Sequence, residues 1–526
     1  MEQVITGCPY DCGGSCPIKA YVEAGRIVRL APDEGTDSPE SPRLRPCARG
    51  MAQLQRIYHP DRLRYPMKRV GKRGEGEFRR ISWDEALDVV ASEMRRIRET
   101  YGAEAVLNLY GSGNLDGLVH RTGNLANRFF NDFGGQTAPR AIISFEGALL
   151  AARSTFGLVP PPPDPDSLLQ SRLVIMWGFN PSETIFGTNT NWYLAQAKER
   201  GARFIFVDPR FTDSAAALAD QWIPIRPGTD TAMLVAMAFV LIDEGLHDEG
   251  FLRRYTSGFE QFRDYCLGTA DGVAKTPAWA EAICGVRQEV IAGLAREYAS
   301  SKPADLRGGW APGRTAYGEQ FHRACIALSA MTGNIGIPGG GPGCWVTQDF
   351  QRTLGVSLVP PLANPTGKSI VGWRWTDAVL EGVAGGYPSD IKMIYSIGGN
   401  RLNQCGDIKK GIRALEKVEF VVVHDQFLTS MARHADIVLP VSSHFEREDI
   451  QIPHGQGNYL IFNPQVIEPL DESRSDLEIL TALAQRIGGG AFGDKTAQEW
   501  LPELIKHAPA GYEDLRTQGV FRNRKP

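Results

Sequence analysis

Two stretches lying far apart in the chain repeat one order of elements: apolar strand, Gly/Asn loop, helix, apolar strand, aspartate. In the first, RLVIMWG is followed by GFNPSETIFGTN, a helical NWYLAQAKERG and RFIFVDPRFTDSA, which reaches Asp208. In the second, IKMIYSIGGNRLNQCGD leads to KKGIRALEK and FVVVHDQFLTSMARHADIVLP, which reaches Asp425. The likeness continues past both acids, because DPRFTDSAAALADQWIPI and DQFLTSMARHADIVLPV share the series D, F, T, A, AD and P. Short apolar strands alternating with helices specify parallel α/β sheets, and the repetition specifies two of them. In such units the loop after the first strand cradles a phosphate at a helix start, and the acid ending the second strand reaches a ribose or base. Two nucleotide-type sites follow. Neither loop is GxGxxG, so a standard NAD fingerprint is excluded, and βαβ units that use Gly and Asn only for turns are the plain alternative.

The N-terminus carries a second constraint. Of the nine cysteines, Cys8, Cys12, Cys16 and Cys47 fall together as CxxxCxxxC followed by CARG. Four thiolates suit zinc or an iron-sulfur cluster. Structural zinc usually takes cysteines two and two, whereas three close and one remote is a common way to wrap a cubane, so the spacing favours the cluster over zinc or free thiols. Gly13 and Gly14 allow backbone amides to approach sulfur, or simply make a tight turn. Arg49, two residues past Cys47, is placed to lie between this centre and an anionic cofactor, with a surface arginine as the alternative. Cys266, Cys284, Cys325, Cys344 and Cys405 have no such grouping and read as small buried residues.

A chain of 526 residues exceeds one compact core and implies about three structural units. The net charge of -4 gives no drive toward nucleic acid. The run TAMLVAMAFVLI from Thr231 is shorter than the ~20 residues that span a bilayer and reads as a buried helix. Gly71 to Gly76 reads as a hairpin turn, and Ser82 with Glu85 as a capping box opening a helix that runs to about Thr100. The loop GLVPPPPDPD marks a segment boundary. Further Gly-rich loops, YGSGN, IRPGTD, GGWAPGRTAYGE and MTGNIGIPGGGPG, together suggest a long anionic ligand, with Arg226, Asp230 and Arg314 as candidate contacts. His424, His434, His444 and His454 recur every ten residues, a period of neither helix nor strand, and read as coincidence. MEQVITGCPYDC has no basic n-region, apolar h-region or twin arginine. The default location is therefore cytoplasmic, or a membrane-associated complex facing the periplasm if a twin-arginine leader was removed.

With these residues in view, the chain resembles the catalytic subunits of the molybdenum/tungsten bis-pterin oxidoreductases, and most closely those of membrane-associated dimethyl sulfoxide reductases. CPYDCGGSCP with CARG, YHPDRLRYPMKRVGKRGEGEFRRISWDEA, WGFNPSET, VDPRFTDSA, WIPIRPGTD, MTGNIGIPGG, GGN and ADIVLP with EREDI carry the resemblance, in family order. It implies a multidomain α/β fold: a small β-rich iron-sulfur domain (1–62) and two doubly wound dinucleotide domains (63–156 with 346–526, and 157–345). It implies one [4Fe-4S] cluster on Cys8, Cys12, Cys16 and Cys47, and two molybdopterin guanine dinucleotides sharing one molybdenum or tungsten. Gly178, Asn180, Asp208, Arg210, Asp230 and Trp310 would contact one dinucleotide; Gly399, Asn400, Asp425 and Thr429 would contact the other.

The family's protein ligand to the metal falls here in APRAIISFEGALLAARSTFG, which lacks cysteine. Ser144, thirteen residues before Gly157, occupies the serine position of the dimethyl sulfoxide reductase pattern. The Ile-Ile-Ser-Phe-Glu context departs from the usual Asp-Tyr-Ser, leaving Glu146 as a second candidate, no protein ligand as a third, and a helix N-cap as the alternative role of Ser144. Glu446 and Glu448 lie where family members approach the pterin, or are solvated carboxylates. The implied activity is oxygen-atom transfer from an S-oxide or N-oxide, with Arg49 on the electron route. The implied partners are a ferredoxin-like iron-sulfur subunit, a quinol-oxidising membrane anchor and a small-molecule oxide, with no nucleic acid. Other reactions of the family (sulfur or arsenic oxyanion reduction, hydration, hydroxyl transfer) and a silent iron-sulfur or nucleotide-binding scaffold are the alternatives. The family's C-terminal barrel-like domain is expected to be absent, since the chain stops near where it would begin.

Overall fold

Alternation of buried strands with amphipathic helices builds two units, each around its own parallel sheet. The computed structural model describes residues 1–10, 12–32, 34, 42–111, 117–141, 143–160, 163–344, 354–453 and 457–523. One unit comprises Met1–Gly35, Leu44–Ala141 and Asp349–Pro526, the other Thr36–Arg43 and Ile142–Gln348. Among the described residues no helix is long and apolar enough to cross a membrane.

The six strands of the first unit's main sheet run, in order, Phe78–Arg80, Met67–Arg69, Ile437–Pro440, Phe420–Asp425, Met393–Ile397 and Val106–Tyr110. The last four are parallel, while Met67–Arg69 and Phe78–Arg80 form an antiparallel hairpin at the edge around the expected Gly71–Gly76 turn. Strands such as MIYSI are buried along their whole length because both faces are covered. On one face pack helices Trp83–Tyr101, Thr122–Asp132 and Asp476–Ile487, and on the other Trp375–Glu381 and Ile408–Lys417. Ser82 caps Trp83–Tyr101 by accepting from the Glu85 amide, but the Glu85 carboxylate pairs with Arg79 rather than closing a reciprocal box.

The cysteine segment forms a separate three-stranded antiparallel sheet, Glu2–Cys8, Cys16–Glu23 and Arg26–Pro32. Its apolar face packs, together with Ile57, on Phe445 and Ile467, through Ile18 and Ile27.

In the second unit the five strands Gln221–Ile223, Arg203–Val207, Leu173–Trp177, Ala304–Gly308 and Gly343–Cys344 are all parallel. The apolar run from Thr231 is the helix Asp230–Asp243, packed on the sheet beside Pro277–Cys284, Gln288–Ser300 and Glu319–Met331. Helix Glu146–Phe156 buries Ala148, Leu149 and Ala152 against Ile326 and Cys344.

Candidate functional site

Local hairpin geometry assembles the cysteines. Cys8 ends one strand and Cys16 begins the next, and the two are direct cross-strand partners, with Cys12 in the turn between them. Cys47 occupies the N-cap position of the short helix Ala48–Met51, whose Gly50 is close enough that an added Cβ would lie 3.6 Å from Cys8 Sγ. All four thiols are free of disulfides, and three are buried. The Cys8 thiol is pushed up to about 12, first by burial and then by its neighbours Cys12 and Cys47, while hydrogen bonds from the Tyr10 amide and Gln53 oppose the rise. Thiolates crowded into such a place require a cationic core. Among the described residues no three His, Cys, Asp or Glu side chains close on one point as ligands of a single ion do; the cysteines of a cubane each hold a different iron.

The two nucleotide-type loops match in detail. In the second unit the Gly178 amide donates to Val207 O (2.9 Å) and the Gly309 amide to Trp177 O (2.8 Å). In the first unit the Gly398 amide donates to His424 O (3.1 Å) and the Gly111 amide to Ile397 O (2.8 Å). A Cβ on Gly309 would overlap the Gly178 carbonyl, and one on Gly111 would overlap that of Gly398. The asparagines correspond as well. Asn180 Oδ1 accepts from Ser214 Oγ (2.6 Å), and Asn400 Oδ1 accepts from Ser430 Oγ (2.8 Å) and the Met431 amide (3.1 Å). After each acid a threonine, Thr212 or Thr429, caps the next helix by accepting from the Ala215 or Ala432 amide.

Electrostatics single out the acids. Burial raises the Asp208 carboxyl although the Arg210 amide donates to it at 2.9 Å. Burial likewise raises Asp425 against donors from Gln426 N (2.6 Å), Phe427 N (3.3 Å) and Thr429 Oγ1 (3.0 Å). Asp230 is raised by burial and takes the Trp177 indole N–H at 2.8 Å. Asn180 Nδ2 is buried with no partner among the described residues, an orphaned donor of the kind a ligand satisfies. The Arg210 side chain is exposed and pairs with Glu183 at 3.0 Å.

In the first unit the loop opens on a cavity of about 220 Å³. Gly398, Gly399, Asn400 and Asp425 line one side, and Tyr10, Gln53 and Arg56 of the cysteine segment line another. Tyr10 hydrogen-bonds Arg56, and its ring faces the guanidinium of Arg49 at 5.0 Å; Arg49 itself is exposed and does not line the cavity. His444 also lines it, with a buried Nε2 that has no partner among the described residues.

Ser144 is exposed. The cap position of helix Glu146–Phe156 belongs to Phe145, with no side-chain cap bond, so the alternative role of Ser144 as N-cap is not realised. Its carbonyl accepts from Arg314 Nε at 2.7 Å, and Phe145 stacks on Trp310 with centroids 4.4 Å apart and planes at 17°. Glu146 stands 3.8 Å from Arg153.

Other sequence candidates have structural duties. Arg226 donates to the carbonyls of Ala282 and Ile283. Glu446 is neither solvated nor in the cavity: it is buried in an ion pair with Arg62 at 2.6 Å, and Glu448 accepts from Tyr512 at 2.6 Å. The histidines scatter, His424 bridging Tyr395 and Asp476 in the core and His434 following helix Ser430–Arg433. His454, Ser112, Gly113 and Asn114 lie outside the described residues. Cys405 is half-buried, unlike the other four isolated cysteines. Sequence reasoning missed Gln53, Tyr10 and Arg56 as cavity residues, and Ser214 and Ser430 as asparagine partners. The serines were findable, since each stands just beyond the shared threonine.

Known proteins match this chain along its whole length. The "Molybdopterin oxidoreductase" family model matches residues 62–486, and the "Molybdopterin oxidoreductase Fe4S4 domain" model matches 1–59. Dimethyl sulfoxide reductase DmsA of Escherichia coli (strain K12) is 39% identical over all of this chain and 70% of its own length. The dimethyl sulfoxide/trimethylamine N-oxide reductase of Cereibacter sphaeroides is 32% identical over 99% of this chain and 66% of its own. Among solved structures, acetylene hydratase from Pelobacter acetylenicus superposes with a TM-score of 0.78 over 99% of this chain and 74% of its own, at 24% identity, a likeness of fold.

Proposed function

Because this chain belongs to the molybdopterin oxidoreductase family, we propose that it is the catalytic subunit of an enzyme that removes oxygen from a small S-oxide or N-oxide. It is a molybdenum oxidoreductase with bis(molybdopterin guanine dinucleotide) and one [4Fe-4S] cluster. The identity of 39% along the whole chain to a dimethyl sulfoxide reductase carries the choice of substrate class.

In this reading Cys8, Cys12, Cys16 and Cys47 hold the cluster. Gly178, Asn180, Asp208, Arg210, Asp230 and Trp310 hold one dinucleotide, whose guanine N–H groups suit the half-buried Asp208 and buried Asp230 carboxylates. Gly399, Asn400, Asp425 and Thr429 hold the other in the first unit's cavity. When bound, the molybdenum cofactor would supply the oxygen-atom-transfer chemistry and the cluster one-electron transfer. Ser144 is the protein ligand to the metal, favoured by a hydroxyl that caps no helix and a peptide held by Arg314 and the Phe145–Trp310 stack. Arg49 assists electron entry. The electrons come from a ferredoxin-like iron-sulfur subunit and a quinol-oxidising membrane anchor. Turnover with reduced viologen by anaerobically purified, metal-loaded enzyme tests the reading. Dimethyl sulfoxide and trimethylamine N-oxide should oxidise the viologen, whereas arsenate and thiosulfate should not. A fully loaded enzyme inert to both oxides would overturn it.

A further inference from the structure

Gln53 begins the helix Gln53–Ile57 and is 2% exposed. Its Nε2 lies 3.3 Å from Cys8 Sγ. A cysteine ligand can only accept here, so the amide must present its NH₂ end to sulfur and turn its carbonyl end away. The same side chain lines the cavity that Gly399, Asn400 and Asp425 border. Gln53 thus touches a cluster cysteine while facing the space assigned to a dinucleotide. Tyr10 and Arg56 share that wall; the Tyr10 backbone amide also donates to the Cys8 sulfur while its side chain bonds Arg56, and among the described residues Gln53 supplies the side-chain donor to Cys8 Sγ. Hydrogen bonds to cysteine sulfur are among the levers by which a protein sets a cluster's potential. A donor stabilises the form carrying more negative charge, which is the reduced one. Burial strengthens the effect, because little water competes for the sulfur.

We propose that Gln53 is the potential-setting residue of the cluster, its side-chain N–H to Cys8 Sγ holding the reduced state accessible to electrons that pass toward the cavity. The inference rests on the proposed placement of the cluster on Cys8, Cys12, Cys16 and Cys47. On reduction the cluster gains one electron, with no bond made or broken at Gln53.

The test is a redox titration of the holoenzyme, followed by the paramagnetic resonance signal of the reduced cluster, in wild type, Gln53→Leu, Gln53→Glu and Gln55→Leu. Gln53→Leu removes the donor. Gln53→Glu keeps the shape but presents an ionised oxygen. Gln55 is exposed on the same helix and serves as control. Both Gln53 variants should titrate at lower potential than wild type, the Glu variant lowest, and Gln55→Leu should match wild type. Double-resonance spectra should show a strongly coupled exchangeable proton in wild type that is missing from Gln53→Leu, beside a Tyr10 amide proton that both retain. An unmoved midpoint with full iron content, or an equal shift in Gln55→Leu, overturns the proposal. Iron lost from both Gln53 variants also overturns it, making Gln53 an assembly residue. Wild type without a four-iron signal, or Cys8→Ala retaining one, would instead sink the underlying placement of the cluster.

Discussion

Arg314 Nε donates to the Ser144 carbonyl at 2.7 Å, so a residue of the Gly-rich loop after strand Ala304–Gly308 holds the peptide of the candidate metal ligand. Removing this tie should misplace the Ser144 hydroxyl without emptying the cofactor sites. Arg314→Met is expected to lose activity by about 10- to 100-fold, the scale of a displacement near 1 Å. Molybdenum content should hold while the molybdenum resonance spectrum changes. Arg314→Lys, with a donor but no planar fork, should fall between.

Ser214 and Ser430 each orient an asparagine in corresponding loops. A net hydrogen bond contributes about 1 kcal/mol, so Ser214→Ala and Ser430→Ala should each weaken retention of one dinucleotide by roughly fivefold. Guanine nucleotide released by acid, measured after prolonged gel filtration, checks this. Each single variant should lose no more than half, and the double variant more.

Arg62 and Glu446 are both buried, and Glu446 also accepts from the Ser443 and Leu470 amides at 2.5 and 2.7 Å. Glu446→Gln should destabilise the enzyme by about 3–5 kcal/mol, because it strands the Arg62 charge. A paired Arg62→Met, Glu446→Leu change should recover part of that loss in thermal unfolding. Equal losses in single and double variants would contradict the account.

His322 is buried, and burial lowers its ring to about 4 from 6.5. The unfolded chain therefore takes up a proton first as pH falls, and stability contributed by the neutral ring is complete above pH 6.5 and drains away toward pH 4. The difference approaches about 3 kcal/mol at the acid end. Unfolding temperatures at pH 7.5 and 4.5 should diverge less in His322→Gln than in wild type.

Much of this architecture was legible because periodicity is local. LVIMW and MIYSI are buried strands wherever they stand, and Asp208 and Asp425 mark strand ends in both repeats. The cysteine hairpin was legible for the same reason. What escaped depends on contacts distant in sequence: Gln53 with Cys8, Arg314 with Ser144, Arg62 with Glu446. No residue type or spacing announces such pairs. The segment around Ser144 shows the limit from the other side, because Ser before EGALLAARS satisfies the cap pattern, yet the helix begins one residue later and Phe145 takes the position. The Glu85 carboxylate likewise had a competitor, Arg79, visible only once the hairpin folds beside it.

Cys8 and Cys16 face each other across a single hairpin, with Cys12 in its turn. Three of the four thiols are therefore gathered by one local hairpin, and one further turn of helix beginning after Cys47 completes the set. The turn that carries Cys12 is nonetheless anchored from far along the chain, with Ser15 Oγ donating to Ile452 O at 2.8 Å and the Tyr459 hydroxyl donating to the Gly14 carbonyl, so the seat and the residues that brace it settle together.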